Sequence, residues 1–158
     1  MNGPDSTDLI SLIGKNLATL DRIAGSLEHA VEHDAPALGR SENAAVMVAG
    51  LIENYYTCLE TIFLRVSQFF ENNLDAERWH MDLLERMTRQ VEGVRLAAVS
   101  AANYGNLLEL LKFRHFRRYY FDLEYDWDRL DFLVKKARIA HPRVKDDLGS
   151  FVVFLKSL

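Results

Sequence analysis

The chain has 158 residues, 49% of them hydrophobic and 27% charged, which is typical of one globular domain and excludes a disordered or fibrous protein. A formal charge of −4 argues against binding nucleic acid through the whole surface, because such binding needs a basic footprint. The single cysteine, Cys58, allows neither an internal disulfide nor a zinc cluster, and we interpret it as a small core residue. No segment has the roughly 18 apolar residues of a membrane span. We therefore expect one cytoplasmic domain over residues 1–158, with residues 1–8 frayed and no membrane segment.

The first half of the chain carries apolar residues at alternating steps of three and four, the spacing of amphipathic helices. This pattern predicts a long first helix over residues 10–31. Pro36 lies in a predicted loop over residues 34–40, and Ser41 is a candidate N-cap for the next helix. Residues 44–70 carry two apolar stripes, which predicts a central helix that contacts several neighbours.

The second half continues the same spacing. It predicts a third long helix over residues 84–101 and a shorter helix over 107–120. Asp126 or Asp128 can cap a further helix that ends before Pro142, and a last helix follows it. Because no strand-like alternation and no internal repeat appear, we expect an all-α fold, an up-and-down bundle of five to six helices.

Charges are segregated within residues 112–128, where four cations are followed by four acids: Lys112, Arg114, Arg117 and Arg118, then Asp122, Glu124, Asp126 and Asp128. At about 100° per residue, the apolar stripe of this helix continues onto Arg114 and Arg118, which are expected to face protein. A buried arginine needs a carboxylate, a phosphate or a partner subunit. An ion pair with Glu53, Glu60 or the acidic run is one interpretation, and a functional site is the other.

Aromatic side chains gather on the opposite side of the same helix, at Phe113, Phe116 and Tyr120. A helix that is apolar or aromatic on both faces has little room to be a simple surface helix. We therefore expect the protein to form a homodimer through it.

Four segments, residues 53–56, 79–84, 113–116 and 119–130, resemble the HepT-like branch of the HEPN proteins. The likeness extends over most of the chain, from about residue 42. It implies a HEPN-like helical bundle that dimerises, encoded beside a small MNT-type nucleotidyltransferase antitoxin as the toxin of a toxin–antitoxin pair. Toxins of this family are metal-independent ribonucleases, so the resemblance implies an RNA substrate.

The family motif is an arginine, a polar residue and a histidine five residues after the arginine, followed two residues later by a tyrosine that the partner enzyme modifies with AMP. The resemblance assigns Arg114 to the arginine and His115 to the polar residue. The histidine position, however, is Tyr119, and the tyrosine position is Phe121. Because a tyrosine with a pKa near 10 is a poor replacement for an imidazole with a pKa of about 6.5, it is open whether the chain is an enzyme.

His115 can supply the missing imidazole if a dimer brings it to the opposite Arg114, and an arginine can hold the phosphate with two hydrogen bonds. The alternative function is a non-catalytic module that binds a nucleotidyltransferase partner, with Arg114 locked to an internal acid. The candidate residues are Arg114, His115 and Tyr119 for catalysis, Lys112, Arg117 and Arg118 for RNA or phosphate binding, and Tyr120 as AMP acceptor.

Other histidines have weaker functional interpretations. His29 and His33 are four residues apart, which can place two imidazoles on one metal ion, but they lie near a helix end where solvated histidines are common. His80 is expected to pack or to cap a helix. No phosphate loop, zinc motif or nucleophile elbow is present, so we expect no cofactor and no metal.

Overall fold

The computed structural model describes residues 5–71, 79–118 and 124–158. No β-strand forms in these ranges, although Val91 and Arg95 make an isolated bridge. The predicted all-α bundle of five to six helices is confirmed. Its five main helices are α1 (Thr7–His29), α2 (Glu42–Phe70), α3 (Trp79–Met87), α4 (Tyr104–Arg118) and α5 (Trp127–Lys156).

Helix α2 is the central element, as its two apolar stripes predict. It packs against each of the other four helices. Both stripes are buried, through side chains such as Val48 and Phe63 on one and Tyr55 and Ile62 on the other. Because α2 is buried on so many sides, the positions available to its few polar side chains are limited.

Helix α1 extends further than predicted. After His29 it continues through a π-helical turn, Ala30–Asp34, and a short α-helical stretch, Ala35–Ala37. The loop predicted over residues 34–40 is therefore wrong in its first half. Pro36 lies in the first turn of that short stretch, directly after the π-helical turn.

The turn itself is formed by Gly39 and Arg40, which both have positive φ angles. Ser41 then caps α2 as predicted, because its hydroxyl accepts a hydrogen bond of 3.2 Å from the amide of Ala44. At the other end of α1, the helix begins at Thr7, while residues 1–4 of the segment expected to be frayed lie outside the described residues.

The third helix is much shorter than predicted, because α3 ends at Met87 and residues 88–100 form turns. Gly93 has a φ of 74°, and Val94 is 42% exposed, so the apolar spacing in this segment does not mark a buried helix face. Arg95 stabilises the segment after this ending. Its buried guanidinium donates to the carbonyls of Arg86, Arg89 and Leu96, which holds the chain in a compact turn after α3.

Helix α4 begins at Tyr104, after a 3₁₀ turn over Ala101–Asn103. The two residues with which the prediction ended this helix, Tyr119 and Tyr120, lie outside the described residues.

The two helices predicted on either side of Pro142 are one continuous helix, α5. The predicted end before Pro142 is therefore wrong. Asp126 caps α5 by accepting a 2.9 Å hydrogen bond from the amide of Asp128. Pro142 is exposed and has no N–H to donate to the preceding turn, a loss of about 3 kcal/mol. The buried stripe passes it, however, through Ala140 and Val144, and this packing keeps the helix intact.

None of the described helices combines the length and apolarity that crossing a membrane requires.

Candidate functional site

Glu60 on α2 is a buried carboxylate that joins two other helices. Its side chain is 6% exposed. Oε1 lies 3.2 Å from Nη1 of Arg114 on α4, and Oε2 lies 2.9 Å from Nδ1 of His80 on α3. One acid therefore contacts a guanidinium and an imidazole at the junction of three helices.

Arg114 faces protein, as the helical spacing predicts. Nε donates to Oγ1 of Thr57 at 2.8 Å, and Thr57 lies three residues before Glu60 on the same face of α2. The side chain is 13% exposed. Among the described residues, Nη2 has no hydrogen-bond acceptor. The guanidinium is therefore held by two contacts, and one of its amino groups is not used by either.

Arg117, and not Arg118, is the second arginine that contacts protein. Arg117 pairs with Glu53 on α2, whereas Arg118 is exposed. The prediction that Arg118 faces protein is wrong, because the inward stripe continues from Leu110 through Arg114 to Arg117 at steps of four and three. Burial lowers the pKa of Arg117, but the hydrogen bond and the charge of Glu53 outweigh it and raise the pKa above its ordinary value.

Tyr56 adds a buried hydroxyl to the same part of α2, one turn before Glu60. The residue is 0% exposed, and its hydroxyl has no hydrogen-bond partner within the described ranges. Burial raises its pKa well above the usual value, and the negative charge of Glu60 adds to this effect. The phenol therefore stays protonated and remains a donor.

The other candidate residues lie outside this cluster. Lys112 and His115 are exposed on α4, so within one chain neither shares the buried contacts of Arg114. Tyr119 and Tyr120 lie outside the described residues, as does Phe121. The roles assigned to these residues stay predictions.

Sequence reasoning missed two members of the cluster, Thr57 and His80. His80 was expected to pack or to cap, but its Nδ1 lies against Glu60. No spacing rule connects a residue on α3 with one on α2, so helical periodicity could not find this contact. The sequence feature that could have indicated a role for His80 is the segment at residues 79–84, which carries part of the family resemblance.

Two further histidines and the cysteine of the described residues lie outside this cluster. No group of three or more histidine, cysteine or acidic side chains in the described part of the chain could hold a metal ion. The rings of His29 and His33 are 4.8 Å apart, and His29 pairs with Asp34 at the exposed end of α1. Cys58 is half-buried against the core, and burial raises the pKa of its thiol.

Comparison with protein families decides the assignment. A family model described as HepT-like protein matches residues 47–155. The chain belongs to the HepT-like family. The matched region of this HepT-like protein contains all four residues of the cluster, Thr57, Glu60, His80 and Arg114. No match is found among curated proteins or among solved structures.

Proposed function

We propose that this HepT-like protein is the toxin of a toxin–antitoxin module and that it cleaves RNA without metal at the Arg114 cluster. The observation that carries the proposal is the way in which the motif arginine is held. Arg114 has contacts on Nε and Nη1 to Thr57 and Glu60, and a side chain fixed in this way does not have to be ordered again when it binds.

A fixed guanidinium suits a phosphodiester. Arginine donors form charge-assisted hydrogen bonds to phosphate oxygens. Donors that are already oriented towards the place where charge develops stabilise a transition state without a cost of reorganisation. At 13% exposure, Arg114 is also partly shielded from water, which strengthens such a contact. Its Nη2 amino group is the donor that we assign to the scissile phosphate.

The test is cleavage of a labelled, mixed-sequence RNA by purified protein in the presence of a chelator. We expect cleavage by the wild type and its loss in Arg114→Ala. Lys135→Ala is the control, because it removes an exposed cation from α5, outside the candidate residues. Equal cleavage by wild type and Arg114→Ala would contradict the proposal, since a contaminating nuclease would behave in the same way.

A second candidate function has its own supporting observation. Glu60 neutralises part of the charge of Arg114, and both side chains are largely buried. In a non-catalytic module that binds a nucleotidyltransferase partner, this ion pair would serve only to hold α4 on α2. Removing one member of a buried pair typically costs about 3–5 kcal/mol, and this candidate predicts such a loss with no change in RNA binding.

Arg114→Lys separates the two candidates. Lysine keeps the positive charge beside Glu60 but has no planar fork of donors. For the ribonuclease we expect Arg114→Lys to melt close to the wild type and to lose cleavage. For the structural module, cleavage is absent throughout and thermal stability alone follows the order wild type, Arg114→Lys, Arg114→Ala.

We also propose that the protein forms a homodimer and that an MNT-type nucleotidyltransferase is its antitoxin. The support is the family membership. Tyr120 is the candidate acceptor of AMP. Incubation with the partner enzyme and ATP, followed by peptide mass spectrometry, should show one added AMP unit that is missing in Tyr120→Phe. Modification at a different tyrosine would contradict this choice of acceptor.

A further inference from the structure

We propose that His80 supplies the imidazole that the motif of this chain lacks and that it acts as the general base in RNA cleavage beside Arg114. This inference rests on the proposed ribonuclease function. It assigns the proton-transfer role to α3, rather than to the helix that carries Arg114.

The geometry that carries the inference is the shared carboxylate. The two oxygens of Glu60 contact Arg114 and His80 separately, at 3.2 Å and 2.9 Å. A carboxylate group is small, so the guanidinium and the imidazole lie on neighbouring sides of one acid. The base and the phosphate-binding group needed for cleavage are thus positioned by the same buried residue.

Glu60 also fixes the form of the imidazole. An ionised carboxylate only accepts hydrogen bonds, so Nδ1 of His80 carries the hydrogen in their contact. In the neutral ring the lone pair is then on Nε2, which makes Nε2 the proton acceptor. A carboxylate that orients a histidine in this way is the arrangement used by many catalytic bases. The His80 side chain is 26% exposed, so the ring reaches the surface while Glu60 stays buried.

The cleavage step balances with these groups. Nε2 of His80 takes the proton from the 2′-hydroxyl of the RNA, and the 2′-oxygen forms a bond to phosphorus. The bond from phosphorus to the 5′-oxygen breaks, and that oxygen takes a proton from solvent water while the imidazolium returns its proton to solvent. Arg114 stabilises the negative charge on the phosphate oxygens. The products are a 2′,3′-cyclic phosphate and a 5′-hydroxyl, and no metal, oxidant or cofactor takes part.

The other described histidines have different surroundings. His141 lies between Tyr55 and Asp21, and His29 and His33 lie at the end of α1. His115 is exposed on α4. Within the described residues, His80 is therefore the histidine that shares an acid with Arg114.

The experiment compares the wild type, His80→Asn, His115→Asn and, as the control, His33→Asn at the exposed end of α1, in the RNA cleavage assay from pH 5 to pH 9. Asparagine can still donate to Glu60 from the position of Nδ1, but it cannot accept a proton. We expect a loss of about 10²–10⁴-fold in His80→Asn, near wild-type rates in the control His33→Asn, and wild-type melting temperatures in both. The wild-type rate should rise with pH, because a general base must be unprotonated to accept a proton, and this rise should be absent in His80→Asn.

A second variant, His80→Ala, distinguishes loss of the base from a purely structural effect. Added imidazole should restore part of the cleavage by His80→Ala, because a small base can enter the space left by the side chain. A loss that occurs with unfolding and without this rescue would overturn the assignment. Wild-type cleavage with an unchanged pH profile in His80→Asn would also overturn the assignment of the base to His80, while the ribonuclease proposal would still hold. Loss of cleavage in His115→Asn alone would assign the base to His115 instead. Absence of cleavage by the wild type would reject both proposals.

Discussion

Two adjacent tyrosines on α2 differ in what their hydroxyl groups contact. Tyr55 and Tyr56 are both almost completely buried, at 1% and 0% exposure. The hydroxyl of Tyr55 lies 2.8 Å from Nδ1 of His141, and Nε2 of that histidine lies 2.7 Å from Asp21. The hydroxyl of Tyr56 has no such partner in the described ranges. The same substitution at the two positions should therefore have different effects.

We expect Tyr55→Phe to lower the free energy of unfolding by about 1–3 kcal/mol, because it leaves a ring nitrogen of His141 without its partner. Tyr56→Phe should leave stability unchanged or raise it, since it removes an unsatisfied buried hydroxyl. Urea unfolding of the two variants beside the wild type measures the difference. Equal destabilisation by both would contradict the hydrogen-bond assignment.

At this scale, the sequence predicted some contacts of the candidate site and could not predict others. Helical spacing placed Arg114 against protein, because this follows from the face of one helix, and Glu60 was one of the acids considered as its partner. The contacts of Arg114 with Thr57 and of Glu60 with His80 depend on how α2, α3 and α4 pack. Such pairings are tertiary, and periodicity along one helix contains no information about them.

The segment after α3 depends on a single buried arginine. The side chain of Arg95 is 0% exposed. It pairs with Glu71 at 2.7 Å and donates to the carbonyls of Arg86, Arg89 and Leu96. Of these carbonyls, that of Arg86 belongs to the last turn of α3, and those of Arg89 and Leu96 belong to the turns that follow it.

We expect Arg95→Met to destabilise the protein by about 3–5 kcal/mol, because it leaves Glu71 and several carbonyls without their donor. Arg89→Met is the matched control. It breaks an exposed ion pair with Glu85, and such pairs contribute about 0–1 kcal/mol. Thermal and urea unfolding measure both variants. A loss in Arg95→Met no larger than that of the control would show that the turn does not depend on this side chain.

The same element shows where apolar spacing misleads. Val91, Val94 and Ala98 follow helical steps, yet Val94 is exposed and the backbone turns at Gly93. The buried charge of Arg95 lies inside that pattern, and its need for several acceptors determines the local conformation. In α5 the opposite holds, because Pro142 suggests an end and the buried stripe overrides it. In both cases tertiary contacts, and not local propensity, determine the conformation of the backbone.

The first and last helices of the bundle are joined by ion pairs between acids on α1 and bases on α5. Asp21 contacts His141 at 2.7 Å and Lys145 at 3.1 Å, and Glu28 pairs with Arg138. Hydrogen bonds from His141 and Lys145 lower the pKa of Asp21, and the hydrogen bond from Arg138 lowers that of Glu28. Both carboxyl groups are thus ionised more readily in the folded protein than in the unfolded chain.

The sign of the pH dependence follows from these lowered pKa values. The stabilisation is complete above the unfolded pKa values of about 4 and is lost as the pH falls through the lower, folded values. We expect the melting temperature to fall below about pH 5 and to fall less steeply in the Asp21→Asn, Glu28→Gln double variant. Asp146→Asn, which removes an exposed acid from α5, is the control. A double variant with the wild-type pH slope would contradict this assignment.

The proposed homodimer concerns the whole molecule, and one exposed aromatic residue can test it. Phe116 on α4 is 48% exposed and lies beside the buried Phe113. In a dimer with a twofold axis, this aromatic patch of each copy would be buried against the same patch of the other copy. Burying an aromatic side chain of this size contributes about 1.5–3 kcal/mol.

We expect light scattering at micromolar concentration to give twice the mass of one chain for the wild type and the mass of one chain for Phe116→Glu. The added glutamates would repel each other across the axis and would be removed from water. Phe132→Glu is the matched control, because Phe132 is 39% exposed on α5 and outside the proposed interface. A wild type with the mass of a single chain would reject the dimer. If instead Phe132→Glu gave single chains and Phe116→Glu did not, the interface would lie on α5, and the proposal that copies pair through the helix of Arg114 would be wrong.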